Sequence, residues 1–198
     1  MNNYEYIIAS LPVLRQEIRD NQGLDAEAVL SEIGAQLSER DAAQLGLLLQ
    51  GYDPERLDPA FYAGALKSRS RFLRAWFRFD RDLRNVKARW LNRSLGRPED
   101  QDCIDTEEHE FVEEAAAEAA LAQEDILGRE RALDALCWDK SLELTQMDIF
   151  DLDWILGFVT RLKTVERWLR LDPETGRALF RRLVDEIRKP ATETTDTK

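Results

Sequence analysis

The chain has 198 residues, 43% of them hydrophobic and 34% charged, with a net charge of −11. That is apolar enough to build a core without staples and too apolar for a disordered chain. No apolar run approaches the roughly 18 residues that cross a bilayer, and the opening MNNYEYIIASLP lacks the basic start and cleavage site of a secretory signal, so a cytoplasmic protein is expected. Cys103 and Cys137, without a CxxC or a nearby histidine pair, read as free thiols and not as zinc ligands or a disulfide framework.

The elements follow in chain order. Tyr4 to Ala9 is a short strand or first helical turn, closed by Pro12. Asp25 caps a helix through Leu37, in which Val29, Leu30, Ile33 and Leu37 fall at helical spacing. Ser38 with Asp41 resembles a capping box for a helix ending at Gly51. Asp58 and Pro59 start the next helix, and nothing interrupts the pattern before Gly96 and Pro98. The expectation is one unbroken helix of about 37 residues, roughly 55 Å long. Asp105 and Glu108 offer a new cap before the alanine-rich stretch Ala115 to Ala122. Further helices are expected over 125–146, 152–171 and 172–189, the last opened by Pro173 and closed by Pro190, and then a polar tail. The fold class is all-α, an elongated multi-helix bundle with one long central helix. It divides into an N-terminal helical segment (1–58), the long basic helix with acidic helices (59–146), a C-terminal helical hairpin (147–189) and a disordered tail (190–198), together one cooperative domain. Gly46, Gly64 and Gly157, isolated in helical patterns, are candidates for close helix crossings.

Charge is distributed unevenly. From Lys67 to Arg97 there are eleven Lys/Arg and two Asp, and from Glu99 to Asp125 twelve Asp/Glu and no Lys/Arg. The two arms either fold against each other or face different partners. Phe72, Trp76, Phe79, Leu83, Val86 and Trp90 repeat at spacings of four and three, which predicts a structural seam against other helices. Arg71, Arg74, Arg78 and Arg81 repeat beside it and form a candidate partner interface that invites carboxylates. Nucleic acid is disfavoured, because the aromatics lie on a packing seam and a chain of −11 is repelled by phosphates. His109, within EEHEF, reads as a solvated residue without a nucleophile at any useful spacing, and there is no glycine-rich phosphate loop. The expectation is a non-enzymatic chain with no catalytic residue, cofactor or metal site.

The segments YEYIIASLP, FLRAWFRFDRDLRNVKARW, ERALDALCWDKSLELT and DIFDLDWILGFVTRLKTVERWLRLD together resemble a bacterial family of unknown function encoded among the genes of V-type (A/V-type) ATPases. The resemblance implies a shortened counterpart of the rotary ATPase's central-stalk adaptor, the helical funnel that seats the rotor shaft on the membrane ring. It implies a peripheral, non-catalytic component at the inner face of the membrane, serving proton or sodium transport. Its partners would be the central shaft and the ring, without direct membrane insertion. A helical scaffold or assembly factor for that complex is the alternative, and a nucleic-acid-binding helical protein a more remote one.

Overall fold

The computed structural model describes residues 4–105, 109–147 and 149–171, which form an all-α bundle with no strand among them. Eight α-helices are described: α1 (Glu5–Ser10), α2 (Ala26–Gln36), α3 (Glu39–Gln50), α4 (Pro59–Ala65), α5 (Arg71–Leu95), α6 (Glu114–Leu121), α7 (Ile126–Thr145) and α8 (Leu152–Leu169). Short 3-10 turns lie at Ile18–Asn21 and Pro54–Arg56. The helix expected over 172–189, with its share of the C-terminal hairpin and the tail, lies outside the described residues, as does Glu108.

Side-chain caps begin most of these helices. Asp25, Ser38, Asp58, Ser70, Asp125 and Asp151 each accept a backbone N–H of the first turn, satisfying donors that a helix start otherwise leaves to water. At α3 a distant residue joins the cap. The Tyr4 hydroxyl donates to Asp41 at 2.5 Å and lies 3.4 Å from the Ser38 amide that donates to it. This bond ties the opening segment to α3, and the opening segment is a helix and not a strand. At the C-terminal end of α5, Gly96 adopts the left-handed conformation (φ 65°) that closes the helix.

The single long helix expected from Pro59 to Leu95 is broken at residues 66–70. Serine hydroxyls cause the break by offering the backbone a competing set of bonds. Ser68 accepts the Ser70 amide and donates to Gln44 of α3. Ser70 turns its hydroxyl to the Leu73 amide and donates to Asp153 of α8. Arg74 reaches back to the carbonyls of Ser68 and Arg69. The central helix is therefore α5, 25 residues and about 37 Å long.

Buried Phe72, Trp76, Phe79, Leu83 and Val86 face the core along α5, while Trp90 is half-buried beneath the Arg129 guanidinium, 4.5 Å from its ring. Phe72 stacks on Trp76 with centroids 6.0 Å apart, and Trp76 packs on Phe79 at 5.5 Å. On α8, Ile155, Leu156, Val159 and Leu162 are fully buried. Helices α7 and α8 run antiparallel, pinned at one end by Arg167 and Trp168 on Asp134. At the other end, a Cβ on Gly157 would fall 2.5 Å from the Thr145 methyl, so the glycine there does mark a close crossing. Gly46 and Gly64 do not, for nothing lies within 4 Å of the space a Cβ would take.

Candidate interaction surface

The basic island of α5 divides along its length. In the C-terminal half it meets the acidic arm: Arg89 pairs with Asp100 and Glu114, and Arg93 with Glu99 and Glu118. These are surface pairs screened by solvent, and each contributes little to stability. Such pairing meets the charge of Arg89 and Arg93 within the chain.

The four arginines expected as one ridge have separate roles. Arg81 is buried at 6% exposure and gives Nε and one terminal nitrogen to Asp82 Oδ1, each at 3.2 Å. It is not part of an accessible face. Seven residues after exposed Arg74 it keeps the same side of the helix, so what packs over this part of α5, and not its angular position, buries it. Arg74 is exposed but committed to the α4–α5 junction, and Arg71 lies 3.9 Å from Asp153. Arg78 is exposed and has no hydrogen bond or ion pair among the described residues.

His109, expected to be solvated, is bound to a buried carboxylate. Its Nε2 lies 2.6 Å from Asp82 Oδ2, where the ring N–H donates to the acceptor-only carboxylate. Asn85 brackets Ile104, donating to its carbonyl at 2.8 Å and accepting its amide at 2.9 Å. Phe111 packs near Phe79 at 5.9 Å. The segment after Gly96 is thus laced onto α5, and α6 begins at Glu114 instead of near Asp105 because residues 109–111 serve as this clasp. A cavity of about 240 Å³ lies beside the clasp, and none of its described lining residues carries a hydroxyl or thiol. Among the described lining residues, the histidine and the aspartate are not joined by a nucleophile.

Both cysteines are free. Burial pushes the Cys137 thiol up to about 12, and burial likewise raises Cys103, so neither is poised as a thiolate. No group of acidic, histidine and cysteine side chains among the described residues is suited to hold a metal ion. No helix among them is long and apolar enough to cross a membrane.

Two exposed apolar faces stand out instead, one at each end of α5. At the C-terminal end, Leu91 and Leu95 are about half exposed, and Ile126 and Leu127 project from the start of α7, one turn before the Arg129 that covers Trp90. At the N-terminal end, Tyr6 is 90% exposed, Met147 79% and Ile149 65%, with Phe150 also exposed. The Tyr4 amide donates to the Phe150 carbonyl at 2.8 Å and so holds α1 against the α7–α8 connection. Beside this second face lies an open cleft of about 550 Å³ where α3, α5 and α8 begin, and Arg40, Arg69 and Arg71 line it. Sequence reasoning passes over Arg40 and Arg69, which belong to no heptad pattern and meet only because three helix starts converge. It also passes over the apolar run Met147, Ile149 and Phe150, whose exposure depends on a connection that no periodicity describes.

Residues 109–191 match the model of a family described as "Protein of unknown function (DUF2764)". The matched stretch begins at the clasp histidine and includes α6, α7 and α8. No curated protein and no solved structure matches the chain.

Proposed function

We propose that the chain is a non-catalytic adaptor, a peripheral component of a V-type ATPase that joins the central rotor shaft to the membrane ring in proton or sodium transport. The observation that carries the adaptor reading is the pair of exposed apolar faces at opposite ends of α5, a 25-residue helix braced by stacked aromatics. Exposed apolar clusters rimmed by polar residues mark contact with other proteins, and a packed helix between them passes force without bending. The placement in a rotary ATPase rests on the resemblance of the four segments quoted above.

Cells lacking the chain test this. Their membranes should still hydrolyse ATP, because the nucleotide sites lie on other chains, but ATP-driven ion accumulation should be lost and return when the gene is restored. Normal ion pumping in its absence would overturn the proposal.

A further inference from the structure

We infer that the cleft between α3, α5 and α8 receives an acidic amphipathic helix of a partner protein, whose carboxylates meet Arg40 and Arg69 and whose apolar stripe covers Tyr6, Ile149 and Phe150. The inference rests on the adaptor reading only in taking the occupant to be a protein.

The electrostatics of the cleft favour an anionic guest despite three aspartates in its lining. Asp151 accepts the Trp154 amide, Asp153 accepts the Ser70 hydroxyl and the Phe72 amide, and Asp41 accepts the Tyr4 hydroxyl. Each carboxylate sits in the first turn or cap of a helix, where the positive end of the dipole offsets its charge. Arg40 and Arg69 are exposed and make no side-chain hydrogen bond or ion pair among the described residues. Two forked guanidinium groups are thus left to recognise carboxylates.

Shape and apolar content then choose among anionic guests. A lipid surface is flat and does not enter a cleft, and a phosphate backbone offers nothing to exposed Tyr6, Ile149 and Phe150, which neighbour the lining residues Tyr4 and Asp151 in sequence. A helix supplies carboxylates and an apolar stripe at once, three and four residues apart.

The probe is an 18-residue helical peptide with a leucine stripe flanked by glutamates, compared by fluorescence anisotropy with the same peptide carrying lysines. Vesicles of phosphatidylglycerol and of phosphatidylcholine serve as the lipid arm. The full chain should bind the glutamate peptide and not the lysine peptide. The double variant Arg40→Glu, Arg69→Glu should weaken that binding by about tenfold or more, and 0.5 M salt should weaken it similarly. Arg40→Gln with Arg69→Gln, checked for fold by circular dichroism, should give a smaller loss in the same direction. Equal binding of both peptides, binding unchanged in the variants, no binding of the glutamate peptide, or tighter association with phosphatidylglycerol vesicles than with the peptide would each overturn the inference. Peptide binding does not depend on which complex the chain joins, so normal pumping in cells lacking the chain leaves this result standing, and a failed peptide leaves the pumping result standing.

Discussion

Replacing Trp76 with alanine is expected to lower the folding stability by about 3–5 kcal/mol. Trp76 is 6% exposed, stacks on Phe72 at an interplanar angle of 5° and packs on Phe79. Its removal takes away apolar contact on both sides and leaves a cavity in the middle of the seam, where the α5 backbone is held at both ends and cannot collapse inward. A loss of that size is a large part of the whole stability of a domain. Urea denaturation of the wild type and the variant measures it. A difference below about 1 kcal/mol would mean that the seam is not the support of the bundle.

The second large effect is expected at Asp82. Arg81 and Asp82 are adjacent in sequence, both buried, and joined by two hydrogen bonds, with His109 on the other carboxylate oxygen. A buried ion pair adds little compared with an apolar pair, since desolvation offsets its attraction. Removing one partner is another matter, because the other charge is left uncompensated in the interior. Asp82→Ala should therefore cost about 3–5 kcal/mol, from the stranded Arg81 and from release of the His109 clasp together. The double variant Arg81→Met, Asp82→Leu, which removes both charges, should recover much of that loss. If Asp82→Ala and the double variant are equally destabilised in urea, the cost comes from the lost clasp alone and not from the stranded charge.

The helices are legible in the sequence through their caps. Asp25, Ser38, Asp58 and Asp125 each begin a helix as their chemistry suggests, because a side-chain acceptor for the first-turn amides is a local property. The α5 seam is equally legible, since a four-three rhythm of aromatics has one physical solution, burial against other helices. The break at residues 66–70 is not. Its serines act through Gln44 and Asp153, which lie on other helices, and helical spacing persists across it. Arg81 shows the same limit from the other side. Its spacing places it on the side of α5 that carries exposed Arg74, yet the bundle covers that side further along the helix, and Asp82 receives the buried guanidinium. His109 escapes a local reading because its partner lies 27 residues away on a different element. Of the candidate interface, the basic arm of α5 stands out in the sequence but the cleft does not, for it arises only where three helix starts meet.

The proposed role makes this chain a standing part of a rotary ATPase. The most direct measurement is quantitative mass spectrometry of the intact complex, isolated through an affinity tag on one of its nucleotide-binding chains. The chain is expected at a fixed ratio to the rotor shaft, retained after washing at moderate salt and lost together with the shaft when the complex is taken apart. Absence of the chain from the finished complex, or its presence only in partly assembled intermediates, would contradict that claim.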